Sequence, residues 1–119
     1  MSKHRFERLV EIMARLRKPD GCPWDREQTH QSLRPYLLEE AYEVIEALDT
    51  NNPELLREEL GELLLQVLFH ARIATEENNF TIDEVLETLE NKLVKRHPHV
   101  FGDTVIKTAD EQKKHWEQL

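Results

Sequence analysis

Residues 52–76, NPELLREELGELLLQVLFHARIATE, decide the fold. Asn52 is a good N-cap and Pro53 a good first helical residue, so the stretch predicts one long helix running to about Glu77. Leu60, Leu63, Leu64, Leu65, Val67, Leu68 and Phe69 distribute nearly all the way round that helix, the pattern of a buried one. Glu59, Glu62, Gln66 and His70 form a narrow polar lane through the apolar surface. An ionised carboxylate left uncompensated in such a place is strongly destabilising, so the lane must face a partner or a wet cleft. Gly61 costs about 1 kcal/mol relative to Ala in a helix. Close approach of another backbone or a ligand would offset that cost; plain tolerance is the alternative.

Outward from this helix the remaining pattern is also helical. Phe6, Leu9, Val10, Ile12, Met13 and Leu16 recur at three and four, predicting an amphipathic helix over roughly residues 3 to 17. Residues 18–25, KPDGCPWD, break it with two prolines and a glycine. After a short segment around Gln28 to Leu33, Pro35 can open a second helix to about Leu48, and residues 49–52, DTNN, form a turn. Thr81 and Glu84 make a capping box for a fourth helix that runs toward Arg96. Residues 97–103 read as a loop, and Thr108 with Glu111 offers a second capping box for a last short helix containing Trp116. No strand pattern, internal repeat or inter-domain linker interrupts the chain. The expected class is all-α, a bundle of four to five helices forming a single domain over residues 1–119.

Sixteen basic against 24 acidic residues give a formal charge of −8, which argues against simple electrostatic binding of nucleic acid. For the same reason an anionic phosphate substrate needs metal ions between itself and the protein. No apolar run reaches the roughly 18 to 20 uncharged residues that span a bilayer, and the first residues lack a signal peptide's apolar stretch. Cys22 is the only cysteine, so no intrachain disulfide forms and a reducing cytoplasm is the expected setting.

The helix that opens at Pro35 carries its own acids. Leu37, Ala41, Val44, Ile45 and Leu48 occupy one side, while Glu39, Glu40, Glu43 and Glu46 form a separate arc. If this helix packs antiparallel on the next across the short turn, Glu40 and Glu43 face Glu59 and Glu62. Four like charges so close repel unless protons or a cation lie between them. The oxygen-rich set suits Mg²⁺ or Mn²⁺. A di-iron bundle would want Glu-x-x-His pairs, and neither Glu40 nor Glu59 has His three residues on. His70 reads as a capped or water-exposed lane residue rather than a ligand.

Four blocks in order carry a family resemblance across essentially the whole chain. They are GCPWD (21–25) with Gln28 and Thr29, YLLEEAYE (36–43), ELGE (59–62) and RHPHVFG (96–102). The chain resembles the MazG nucleotide pyrophosphohydrolases of the all-α nucleoside-triphosphate pyrophosphatase superfamily, and most of all the first of the two repeats in full-length MazG. The resemblance implies hydrolysis of a nucleoside triphosphate to the monophosphate and pyrophosphate. It implies metal ligation by Glu40, Glu43, Glu59 and the position of Glu62, and a homodimer or larger assembly. One departure stands out: the family's last ligand is usually Asp. The extra methylene of Glu62 moves its carboxylate by roughly 1 to 1.5 Å, which loosens a Mg²⁺ site or favours Mn²⁺.

Glu39, adjacent to Glu40 but not spaced for the same ligation, is the candidate to orient the attacking water; a plain surface acid is the alternative. Lys92, Lys95 and Arg96 cluster at the end of the fourth helix, where cations favour the helix dipole. The resemblance places that stretch near the triphosphate. It also places Trp116 near the nucleobase, with a terminal hydrophobic anchor as the alternative. Trp24 is expected to pack under the first helix, with closure of the nucleotide cleft as the alternative, and Asp25 to cap the next segment. His97 and His99 lack the further ligands of a zinc site, and Cys22 lacks a local base. Two functional readings follow: a Mg²⁺-dependent pyrophosphohydrolase, and a non-catalytic dimerising or regulatory module that supports a separate catalytic repeat. The apolar surface of the 52–76 helix exceeds what one small bundle covers, which also points to a partner chain.

Overall fold

The computed structural model describes residues 2–118. Seven helices and no strand occur among them: α1 Ser2–Leu16, α2 Pro23–Glu27, α3 His30–Asp49, α4 Pro53–Glu76, α5 Ile82–Arg96, α6 Pro98–Phe101 and α7 Ala109–Glu117. They separate into two compact units, one ending at Ile82 and the other beginning at Asp83. No described helix is long and apolar enough to cross a membrane.

In the first unit, α1 ends at a turn that only glycine can make. The Cys22 amide donates to the Leu16 carbonyl at 2.9 Å, and the Gly21 amide to that of Lys18 at 2.8 Å. A Cβ on Gly21 would stand 2.3 Å from the Leu16 carbonyl oxygen and 2.4 Å from that of Arg15. Backbone so close to backbone leaves no side chain able to yield. The two prolines that break α1 do not leave a loop behind them. Pro23 opens the short α2, because a proline at the first helical position gives up only an amide that has no partner there.

The chain differs from expectation at the start of α3. The helix begins at His30, five residues before Pro35, and Pro35 lies inside it. The cause is a reciprocal cap: the Thr29 hydroxyl accepts from the Ser32 amide at 3.1 Å, and the Ser32 hydroxyl accepts from the Thr29 amide at 2.8 Å. Pro35 forfeits one hydrogen bond near the helix start, a loss the cap offsets. The Asn52 side chain caps α4 as its sequence suggests, accepting from the Leu55 amide at 3.2 Å.

Both long helices end the same way. Asn51 (φ 52°) and Asn78 (φ 60°) adopt the left-handed conformation just past the helix ends. The Asn52 amide then reaches the Ala47 carbonyl at 3.3 Å, and the Asn79 amide that of Ala74 at 2.9 Å. This is the Schellman arrangement, and asparagine tolerates its backbone better than other residues with side chains.

The apolar centre of this unit is Met13 of α1, Leu33 of α3, and Phe69 and Ile73 of α4. Trp24 packs edge-on against Tyr36 and Phe69, with ring centroids 5.8 and 6.4 Å away. Asp25 lies within α2, and Thr29 rather than Asp25 caps the next helix. Burial of α4 is uneven. Its second half contributes Leu68, Phe69, Ala71, Ile73 and Ala74 to the interior, but Leu60, Leu64, Leu65 and Val67 remain exposed on the single chain. The all-round apolar pattern is therefore buried at one end of the helix only. A Cβ on Gly61 would meet nothing within 4 Å, so no neighbour in this chain makes the close approach that a glycine there suggests.

In the second unit, Thr108 caps α7 by accepting from the Glu111 amide at 3.1 Å. The Gln112 side-chain amide donates to the Arg96 carbonyl at 2.7 Å, tying α7 to the end of α5. Pro98 starts the one-turn α6 within the segment expected to be a loop.

Candidate metal centre

Helices α3 and α4 run antiparallel across the tight 50–52 turn, and this register brings acids of both together. Glu40 and Glu43 of α3 and Glu59 of α4 each offer a carboxylate oxygen, all within 4.8 Å of one another. Glu59 is only 7 % exposed. One oxygen of Glu59 and one of Glu40 are buried with no hydrogen-bond partner. Acceptors left bare in that way are costly unless something positive reaches them.

The electrostatics agree. The Glu59 carboxyl is held above the usual carboxylate range, first by burial and then by the hydrogen bond and charge of Glu40. Glu43 is raised as well, chiefly by the charge of Glu59 and the hydrogen bond between them. Without a cation these acids accommodate one another by sharing protons. An all-oxygen donor set of this kind matches a hard divalent ion such as Mg²⁺ or Mn²⁺, and the bare buried oxygens fit one.

The remaining expected site residues fall in different places. Glu62 is exposed on α4 and does not belong to the three-carboxylate group. At 100° per residue it lies about 60° round the helix from Glu59, whereas Gln66 and His70 lie within about 20° of the Glu59 line. The polar lane is thus Glu59, Gln66 and His70, with Glu62 on its shoulder. Glu39 is exposed beside Glu40.

Lys92 and Lys95 are exposed on α5. Arg96 lies over the Trp116 ring, its guanidinium carbon 4.1 Å from the centroid, and His97 meets the same ring edge-on at 5.7 Å. Two residues expected to hold different parts of a nucleotide, the phosphates and the base, therefore stack on each other. His70 is half-buried, and its Nδ1 lies 2.7 Å from Nδ1 of His30. Sequence spacing gives no hint of this contact, because the two rings are 40 residues apart and meet only through the helical hairpin.

Fold and site together define an all-α protein whose central helical hairpin carries a partly buried carboxylate cluster suited to a divalent cation. Residues 28–101 match the family model of the MazG nucleotide pyrophosphohydrolase domain, and the chain belongs to that family. It is 62 % identical over 99 residues to the nucleoside triphosphate pyrophosphohydrolase/pyrophosphatase MazG of Thermotoga maritima, covering 83 % of this chain and 39 % of the relative. It is 45 % identical over 117 residues to the nucleoside triphosphate pyrophosphohydrolase of Escherichia coli K12, covering 98 % and 44 % respectively. The crystal structure of a MazG-related protein from Thermotoga maritima superposes with a TM-score of 0.75 at 32 % identity, covering 94 % of this chain and 96 % of that one. The chain spans less than half the length of those two named enzymes.

Proposed function

We propose that this chain is a divalent-metal-dependent nucleoside triphosphate pyrophosphohydrolase, converting a nucleoside triphosphate and water to the monophosphate and pyrophosphate. The observation that carries the reading is the group of three carboxylates on α3 and α4, two with bare buried oxygens, in a chain of this family. Glu40, Glu43 and Glu59 would hold Mg²⁺, or Mn²⁺, and residues 1–119 would act as one functional domain. When bound, the cation supplies charge neutralisation at the phosphate oxygens and lowers the pKa of a coordinated water. Glu39, next in the chain to Glu40, orients the attacking water and accepts its hydrogen bond. Glu62, outside the three-carboxylate group, would add negative charge at its edge. Lys92, Lys95 and Arg96 would neutralise phosphate charge that remains, and Trp116, part-exposed, would stack on the base.

A second reading, a non-catalytic regulatory domain, draws on the position of Glu62 outside the cluster. One experiment separates the two. A panel of canonical and oxidised nucleoside triphosphates is incubated with the protein and Mg²⁺ or Mn²⁺, and pyrophosphate and orthophosphate are measured separately. Metal-dependent pyrophosphate release is the expected result; no turnover of any triphosphate with either metal would leave the regulatory reading standing.

We further propose that a second copy of the chain is the partner. Leu60 and Val67 of α4 and Leu38, Tyr42, Ile45 and Leu48 of α3 are all more than 40 % exposed on the central hairpin, a larger apolar surface than a lone chain normally shows water. Sedimentation equilibrium should return the mass of a dimer or a higher multiple. A single-chain mass at all loading concentrations would overturn this part.

A further inference from the structure

The contact between His30 and His70 is a hydrogen bond of a particular kind. The two Nδ1 atoms are 2.7 Å apart, the ring centroids 5.0 Å apart, and the ring planes 4° from parallel. A separation of 5.0 Å is the largest that a 2.7 Å nitrogen contact permits, since it equals that contact plus two imidazole ring radii. The rings must therefore lie edge to edge in one plane, with nitrogen pointing straight at nitrogen. That is a linear N–H···N bond and not a stack. It leaves space for one proton between the rings and none for a second, and it is too short to admit a metal ion on the line between them.

The surroundings fix what that proton does. Nε2 of His30 lies 3.4 Å from a Glu77 carboxylate oxygen, an ion pair once the His30 ring is charged. Nε2 of His70 is buried with no hydrogen-bond partner. Burial, and then the nearness of His30, hold His70 below the ordinary histidine value, so it stays neutral where a free histidine would begin to charge. Other charges around the pair are engaged elsewhere: Arg17 at the end of α1 and Arg72 of α4 both bond to Glu76. On α2, Arg26 is bonded to the Pro19 carbonyl; Asp25 and Glu27 complete the charged residues of that helix. Among the described residues Glu77 is the one acid paired with the couple.

Place in the fold gives the bond its consequence. His30 is the first residue of α3, and His70 lies in the polar lane of α4. Ten residues along α3 from His30, about 15 Å, is Glu40; eleven residues back along α4 from His70 is Glu59. The histidines thus close the open end of the hairpin whose middle carries the carboxylates. We propose that His30 and His70 form a proton-sharing clasp that joins the start of α3 to α4 at neutral pH and is opened when acid protonates both rings, which leaves no acceptor between them. This does not depend on the metal or on the activity proposed above.

The sign follows from linkage. A group kept neutral in the folded chain binds fewer protons than its unfolded counterpart as pH falls past the free histidine value of about 6.5. Stability contributed by the clasp is therefore present above that value and declines below it. Glu43 and Glu59 act in the opposite sense, since their raised values favour the folded state on acidification. Glu76, held low, contributes only below 4.5. A loss that sets in as pH falls below about 6.5, well above the range of Glu76, is accordingly the histidines' own signature.

The test has two arms, both on the full 119-residue chain without added metal. Long-range ¹H–¹⁵N NMR of the imidazoles should show one Nδ1 protonated and the other bare at neutral pH, with a titration that belongs to the pair. Thermal melts should show Tm falling by about 4 °C or more over the acid window. His70→Asn, which keeps an uncharged hydrogen-bonding atom near the position of Nδ1, should retain the neutral-pH Tm more fully than His70→Phe and lose the acid-dependent fall. Two rings titrating independently near the free histidine value, or a His70→Asn protein with the same pH dependence as the parent, would overturn the clasp.

Discussion

Glu59→Gln is expected to raise the thermal stability of the metal-free chain at neutral pH while removing its response to Mg²⁺. The two effects have one cause. In the folded chain Glu59 and Glu43 keep their protons to higher pH than in the unfolded chain. The folded state then binds more protons, so stability falls as pH rises through the raised values. At neutral pH the metal-free cluster is a source of repulsion, and an uncharged amide at position 59 relieves it. The same amide is a poor partner for a divalent ion. At a Mg²⁺ concentration about 100-fold above Kd, a specific ion stabilises by about 2.7 kcal/mol, a Tm rise of about 10 °C for a domain of this size. The parent should show that rise, Glu59→Gln should not, and pyrophosphate release should drop by more than about 100-fold. Scanning calorimetry in EDTA and in Mg²⁺ reads both halves. A variant that keeps the full Mg²⁺ shift would remove Glu59 from the site.

Arg17→Ala should give the largest loss of stability among truncations of a charged side chain in the first unit. The Arg17 side chain is 8 % exposed and uses its whole fork. Nε and Nη2 bond to the two Glu76 oxygens at 2.9 Å, while Nη1 donates to the Asp25 carbonyl at 2.6 Å and the Gln28 carbonyl at 3.0 Å. It fastens the end of α1, the middle and C-cap of α2 and the end of α4 in one stroke. Truncation takes the guanidinium from two carbonyls and a carboxylate, leaving Glu76 only Arg72 and the Asp25 carbonyl only the long Gln28 amide contact. Because Glu76 is about one-third exposed, solvent recovers part of the loss. We expect about 2–3 kcal/mol by urea denaturation at neutral pH. Lysine, lacking the planar fork, should restore little of it.

The pH dependence provides a control. Arg17, chiefly by its hydrogen bond, holds the Glu76 carboxyl below its ordinary value of 4.5. A depressed carboxylate stabilises above its unfolded value and loses that contribution as pH falls through the folded one. Arg17→Ala should flatten this acid-side decline. An unchanged decline would assign it to other groups.

Much of this was legible in the residue order. The helix of residues 52–76 could be read from its cap, its first-turn proline and its lack of breakers, all local signals that tertiary contacts had no reason to override. The three acids at 40, 43 and 59 could be paired on paper because a short turn between two helices forces them antiparallel. Pro35 is a stronger signal in the sequence than the modest hydroxyl exchange between Thr29 and Ser32 that sets the start of α3 five residues earlier. Pro23 reads as a breaker of one helix and is also the opener of the next. Spacing alone groups Glu62 with Glu59, but residues three apart share a face only loosely; a turn of about 60° decides which of the two looks at α3.

By itself, then, the order of residues determined the helical class, the lengths of the long elements and the chemistry of the acidic lane, because capping, periodicity and charge act over a few neighbouring positions. The folded arrangement alone decided that three carboxylates and not four converge, that Arg96 covers a face of Trp116, that Arg17 is the fastening of the first unit, and that His30 meets His70. Those outcomes depend on the rotation and register of one helix against another. Both are set by side-chain packing summed over many contacts, and no short stretch of sequence contains that sum.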